Sequence, residues 1–562
     1  MHFRRFRRLP FPVFALIFFA IAACIGCSKH YLELDKLKKD EIWDPTWAVP
    51  LAHSIITSYD ILDRFDDDSL IVIDPITGLL ALRYSSEVFS VSAEEFIVIP
   101  SQNNPAIPVP MGPTTINDVE TNGSATITIG DTLPITTGGE KLETITFKDS
   151  TRFEYSLFSD VDYAGTLTVS IPDLKDAGGA SYSSTVPFTV NESNVGIDKL
   201  DLLDGYTWDL TMGGTTTDSF AIFFSITYIN GPGTAAPTDI LTIDMDLNGV
   251  EFRNLTGDIG SPFISTGIDS VRLRIYENAT QGQIRYSAPK LIAVFTNTFG
   301  AALEITPAVF KASSPVNGAT ALQDLGSGLG EGVSTQIIAS PSMGVPGITT
   351  ITMDSTNSNL NALLQLSPER IVYDVDVQAN PGGGTNSNFV MDTSKLKLDV
   401  IAELPLDGWA KGFTKSDTVV YGIPNDSAVS DSTAKELVAL TVRLNIDNGF
   451  PTDGKVQVYF ADSNNTVVDS LFGSGMEFVF LGGIADGTGR VVTHTLKTTD
   501  MVIPREKLIA LRDSGADRII VVGEVQTTDA QTGKFVKIFE DYTMELWLGI
   551  KAEFEIRMDT RI

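Results

Sequence analysis

Cysteine and histidine are almost absent from this chain. Its 562 residues hold two cysteines, Cys24 and Cys27, and four histidines, of which His2 and His30 lie close to the N-terminus. Any folded body is left with His53, His494 and no thiol. That excludes a disulfide framework and a cysteine nucleophile, and it leaves too few His or Cys ligands for an ordinary zinc site. A Ser-His-Asp triad would need His53 or His494 as its base, yet no Gly-x-Ser-x-Gly elbow supplies the serine. Both histidines are expected as surface or strand residues. Basic residues are scarce too: 40 Lys and Arg stand against 71 Asp and Glu, a formal charge of −31. A surface of that sign repels phosphate backbones, so nucleic acid is excluded as a partner. No GxxxxGK[ST] loop is present, so nucleotide chemistry has no support and no cofactor is expected.

A run of ~20 apolar residues able to span a bilayer is also missing. The nearest approach is Phe11–Ala23, which follows Arg4, Arg5, Arg7 and Arg8 and has the shape of a secretory leader. It ends in Ile21-Ala22-Ala23-Cys24, which resembles the bacterial lipobox. The small Ala23 precedes a thiol free to receive a diacylglyceryl group, so Cys24 is the expected lipidation site, with Cys27 after Gly26 as the alternative. Cleavage before Cys24 removes four arginines and takes the charge to −35. Buried methylenes of the acyl chains then hold the protein to a membrane without a spanning helix.

What is present is β-strand signal. Segments 69–74, 165–171, 220–228, 241–246 and 270–276 are short, rich in β-branched and aromatic residues, and several alternate apolar with polar. Forty-seven glycines and 27 prolines supply turns between them. The expected class is all-β, with tandem sandwich-like domains and a few short helices. Leu360, Ala362, Leu363, Arg370, Ile371, Val377 and Gln378 recur as Leu508, Ala510, Leu511, Arg518, Ile519, Val525 and Gln526 at a single offset of 148. Asn297-Thr-Phe299 likewise parallels Asn448-Gly-Phe450. These matches predict an internal duplication of a unit of about 150 residues. Each copy reads as strand, Asn-x-Phe turn, strand, a short helix over 360–366 or 506–512 that caps the open end of a sandwich, and a buried strand. Glycine-rich 326–332 and 381–385 read as loops or linkers. The expected division is a leader over 1–23, a tether over 24–45, β regions over 46–150 and 151–315, a glycine-rich connection over 316–394 with a short helix and strand, and a C-terminal sandwich over 395–562.

Few residues suggest chemistry. Asp244-x-Asp246-x-Asn248-Gly249 copies the first half of an EF-hand loop, but Leu255 stands where the bidentate Glu is required. The three are weak metal candidates, and a hairpin turning at Asn248-Gly249 is the preferred reading. Asp66-Asp67-Asp68 reads as a solvated charge cluster. Trp43, Trp47 and Trp409 lie near turns and are candidates for stacking on a ligand ring, whereas Trp208 and Trp547 sit inside alternating strands and are expected in the core. No carboxylate stands out as catalytic.

The lipobox, Trp43-Asp-Pro-Thr-Trp-Ala-Val-Pro-Leu51, Tyr59-Asp-Ile-Leu62, Asn448-Gly-Phe-Pro451, Val456–Phe460 and Val468-Asp-Ser-Leu-Phe472 together resemble uncharacterised outer-membrane lipoproteins of the Bacteroidota type. The resemblance implies an envelope address and a β-rich body, and it brings no known activity. Neither cysteine is followed by the acidic signal that such envelopes use for surface export, which favours the periplasmic face of the outer membrane. The leading functional expectation is a non-enzymatic, lipid-anchored protein that binds or scaffolds an envelope protein partner. Two others stand beside it: a glycan-binding or glycan-hydrolysing lipoprotein, which needs an exposed aromatic platform, and a carrier of a lipid or other apolar ligand, which needs a cavity between sheets.

Overall fold

The computed structural model describes residues 42–557 apart from 63–68, 190–196, 215–217, 274–275, 277–278, 316, 384–386 and 421–435. Cys24, Cys27, Asp66–Asp68 and most of the expected tether therefore lie outside the described residues.

Strand alternation builds the core. In Ser219–Ile229 the side chains of Phe220, Ile222, Phe224, Ile226 and Tyr228 are buried, while Phe223 faces out. The neighbouring Ala164–Lys175 buries Leu167, Val169 and Ile171 in the same way. Burying a residue of this size contributes roughly 1.5–3 kcal/mol. On the opposite face of this sheet, threonines stand across from one another: Thr126 with Thr227 at 2.9 Å, Thr168 with Thr185 at 2.9 Å and Thr146 with Thr207 at 3.0 Å. Period-two burial with a hydroxyl-laced outer face is the signature of a sheet covered on one side.

The long strands form three two-sheet layers. The first sandwich pairs an eight-stranded sheet, ordered 388–391, 252–258, 141–147, 207–209, 164–175, 219–229, 124–134 with 181–188 also on 164–175, with a four-stranded sheet ordered 197–202, 152–159, 240–248, 102–110. The middle sandwich sets strands 347–353, 290–297, 395–405, 80–92 and 69–73 against a sheet led by 370–379 and 303–314. The last sandwich sets 495–504, 437–448, 543–554 and 46–57 against a sheet led by 407–420, 518–527 and 452–461. Strands drawn from 46–150 thus enter four sheets, and the chain visits the last, middle and first sandwiches before returning through the other two.

The middle and last sandwiches repeat one another. Their smaller sheets run 347–353, 290–297, 395–405, 80–92 in one and 495–504, 437–448, 543–554, 46–57 in the other. Their larger sheets likewise run 269–272, 370–379, 303–314, 318–321 and 407–420, 518–527, 452–461, 467–470. The Asn-x-Phe turns match bond for bond. Asn297 Nδ2 donates to the carbonyls of Ala301 (3.0 Å) and Ile338 (2.9 Å), and its Oδ1 accepts from the Phe299 N–H at 2.9 Å. Asn448 Nδ2 donates to Thr452 and Leu481 (both 2.9 Å), and its Oδ1 accepts from the Phe450 N–H at 2.9 Å. Both asparagines are fully buried. The helices Leu360–Gln365 and Arg505–Asp513 fall where the repeat predicts them; Leu360, Leu363 and Leu364 of the first are buried, as is Leu511 of the second.

Two local expectations are corrected. Asn248-Gly249 does not close a hairpin: strand Ile240–Asn248 pairs in the four-stranded sheet and Phe252–Asp258 in the eight-stranded one, so Gly249, at φ +61°, carries the chain from one layer to the other. A turn signal fixes the bend but not the sheet that receives the next strand. Among the described residues of the strand expected over 270–276, pairing covers Asp269–Arg272, and further on the Tyr276 N–H turns back to the Leu273 carbonyl at 3.0 Å while the Tyr276 ring enters the interior. Glycine-rich 326–332 is an ordered loop, organised by Asp324 Oδ1, which accepts from the N–H groups of Gly326 (2.8 Å) and Gly328 (2.9 Å).

Candidate functional site

The aromatic candidates separate by strand parity. Trp409 is only 6% exposed, with the Lys411 ammonium 4.5 Å above its ring, so its face is closed to a ligand. Trp47 lies on the edge strand Thr46–Thr57 and is 38% exposed, with its ring edge-on to Phe554 at 6.1 Å. The backbone of Trp43 pairs with Ile556. Trp208 is in the core as expected, against Phe147 and Phe220.

Trp547 departs from the expectation. In strand Thr543–Phe554 the residues Leu548, Ile550 and Ala552 take the inward positions, which turns Trp547 to the outer face. There it stacks on the His53 ring at 5.3 Å and 5°. His53 Nε2 lies 2.6 Å from Glu545 Oε1, and one row away Arg443 makes a bidentate pair with Asp500 at 2.7 and 2.6 Å. The Arg443 guanidinium holds the Asp500 carboxyl below its ordinary value. An aromatic pair flanked by carboxylates, a guanidinium and the Asn445 amide on a sheet face can stack on a ring and hydrogen-bond its substituents. The alternation in Met544-Glu-Leu-Trp-Leu-Gly-Ile550 carried this signal, because Trp547 is out of phase with the aliphatic residues.

Asp244, Asp246 and Asn248 line the outer face of the four-stranded sheet. Asn248 Nδ2 donates to Glu154 Oε2 at 3.1 Å, and burial, then the charges of Asp244 and Glu154, raises the Asp246 carboxyl. No group of three or more His, Cys, Asp or Glu able to hold a metal occurs among the described residues.

The apolar-ligand expectation requires a space between sheets, and one lies inside the middle sandwich. Between its sheets, beside the helix Leu360–Gln365, is a cavity of about 270 Å³. Leu291, Ala402 and Leu404 wall it on one sheet, Phe310, Ala312 and Ile371 on the other. Tyr84 and Tyr276 supply phenols, and the Tyr276 hydroxyl is 3.4 Å from that of Tyr286. Burial, with the neighbouring phenols of Tyr286 and Tyr84, pushes Tyr276 well above the ordinary tyrosine range, so it is neutral. Strand parity names the inward residues, but a void depends on how side chains from distant strands meet.

Fold and surfaces together define a class, an all-β protein of three sandwiches of which two are copies. No family model matches the chain, and no curated protein matches it. Among solved structures it is similar to a Parabacteroides distasonis ATCC 8503 protein predicted to be secreted, at 12% identity over 90% of this chain and 99% of that one, with a TM-score of 0.24. A second likeness is to the N-terminal tandem domain CBM22-1–CBM22-2 of Paenibacillus barcinonensis Xyn10C, at 10% identity over 56% of this chain and 100% of that one, with a TM-score of 0.13. At these scores neither likeness bears on a residue or an activity.

Proposed function

We propose that the chain is a lipid-anchored envelope protein that binds or scaffolds another envelope component, tethered beside its last sandwich and carrying out no chemistry of its own. The observation that supports this reading is the meeting of the two ends of the described chain. Strand Ile42–Trp43 pairs with Ile556–Arg557, and Thr46–Thr57 pairs along Thr543–Phe554. With Cys24 acylated, the 18 residues to Ile42 span at most about 60 Å, enough to hold the last sandwich near a bilayer and present the other two. In cells fed a labelled fatty acid, Cys24→Ala is expected to abolish labelling and Cys27→Ala to preserve it. Crosslinking and affinity purification of the tagged, lipidated protein from its native envelope should then yield a stoichiometric membrane-protein partner. Recovery of the protein alone would refute the scaffold reading.

The Trp547–His53 face favours a second reading, recognition of a glycan. Trp547→Ala and Arg443→Ala should each reduce retention on the bound polysaccharide at least tenfold, with the far-ultraviolet circular dichroism of the folded protein retained. Retention on no polysaccharide of a broad panel eliminates this alternative.

A further inference from the structure

The cavity of the middle sandwich is used by neither reading. We infer that it binds a medium-chain acyl group, an apolar chain of about ten non-hydrogen atoms whose carboxylate lies at the rim. An apolar cavity of roughly 150 Å³ holds a benzene ring, so a volume of about 270 Å³ has room for a chain of about ten non-hydrogen atoms. Close-packed interiors rarely leave a space of this size, and most of its wall is aliphatic or aromatic, so an apolar occupant gains more there than water does.

The duplication shows that this space is not a property of the fold. Ala402 pairs across from Leu291 as Ile550 pairs across from Val442, and Ala312 pairs with Ile371 as Phe460 pairs with Ile519. At both positions, one on each facing sheet, the middle sandwich has alanine where its copy has a large side chain. The cavity is also reachable, because Ser85, Ser86 and Arg272 on its lining are exposed. In a chain of charge −31 the charged residues on that lining, among the described residues, are Arg272 and Lys311, and both are cations. Lys311 falls between the inward Phe310 and Ala312 and so turns to the outer face, whereas Arg272, the last residue of its strand, is exposed at the rim; one guanidinium beside an apolar slot fits a chain that ends in a carboxylate.

The test is calorimetric titration of the full mature protein with sodium octanoate below its micelle concentration, beside 1-octanol. Saturable one-to-one octanoate binding is expected. Ala402→Ile and Ala312→Phe, which fill the space from opposite sheets, should each weaken it at least tenfold. Their melting temperatures, equal to or above that of the wild type, separate filling from misfolding. Arg272→Gln should weaken octanoate severalfold and leave octanol unchanged. Absence of saturable octanoate binding to the wild type, or unchanged binding in both folded filling variants, overturns the site. Equal effects of Arg272→Gln on both probes overturn the carboxylate. None of these outcomes depends on capture of an envelope partner, so the two proposals fail separately.

Discussion

Asn448 has no water to turn to. Its amide is fully buried and satisfies two carbonyls and one N–H at the turn between strands 437–448 and 452–461. Asn448→Ala leaves those three backbone groups unpaired, and each buried orphan costs about 1–3 kcal/mol, so a loss of at least about 3 kcal/mol is expected. Asn297→Ala should cost a similar amount, because its bonds are the same set. Urea midpoints of the two variants check this, and a loss under about 1 kcal/mol in either would contradict it. Carboxylates supply a second effect at this scale. Backbone N–H groups hold the carboxyls of Asp74, Asp324 and Asp462 below their ordinary value of 3.8, and Arg443 does so for Asp500. A depressed folded pKa means that the unfolded chain takes up the proton first as pH falls. The stabilisation is therefore complete above the ordinary value and is lost from about pH 4 downward. Melting temperatures should be flat from about pH 5 to 7 and fall below about pH 4; a flat profile to about pH 2 would refute the assignment.

Between elements, one short strand joins the first sandwich to the middle one. Asn388–Met391 adds to the edge of the eight-stranded sheet beside Phe252–Asp258. Asn380 Nδ2 donates to the Gly260 carbonyl at 2.7 Å, and Asn388 Nδ2 donates to that of Gly300 at 3.1 Å. The Gly300 N–H donates to the Phe389 carbonyl at 2.8 Å, and a Cβ at Gly300 would lie 2.3 Å from the Phe389 ring. Gly300→Ala is expected to destabilise by about 1–3 kcal/mol as overpacking does, and Phe389→Leu in the same chain should recover part of that loss. Additive melting shifts in the double variant would show that the ring is not the obstacle. The junction also marks the limit of what the sequence disclosed. Strands 69–73, 164–175, 219–229 and 240–248, both capping helices and the paired Asn-x-Phe turns were legible, because period two, short-range helical spacing and a repeated vocabulary are local signals. The partners of each strand were not, which is why Asn248-Gly249 read as a hairpin. Of the candidate surfaces, Trp547 was visible in strand phase and misjudged, and Trp409 shares a strand face with Lys411 two residues on, but whether that side chain folds over the ring is not fixed by spacing. The cavity depended on alanines 90 residues apart meeting across two sheets.

For the molecule as a whole, chain order and sandwich order diverge, and this dictates a folding sequence. Residues 102–258 supply every strand of the first sandwich except Asn388–Met391, so its pairings close within one stretch of chain. The last sandwich must bring Thr46–Thr57 to Thr543–Phe554, and the contact of His53 with Glu545 spans 492 residues. Loop closure grows costlier with length, if slowly, and non-local pairing slows folding. Once the first sandwich and then the middle one have formed, the effective loop shortens and the two terminal strands become neighbours. Pulsed hydrogen exchange during refolding should therefore find protection first in 164–175 and 219–229, next in 290–297 and 395–405, and last in 46–57 and 543–554. A chain truncated before Thr543 should keep the first set protected and lose protection in 46–57 and 437–448, whose shared neighbour is gone. Simultaneous protection of all three sets, or collapse of the first sandwich on truncation, would mean that the sandwiches fold as one cooperative unit.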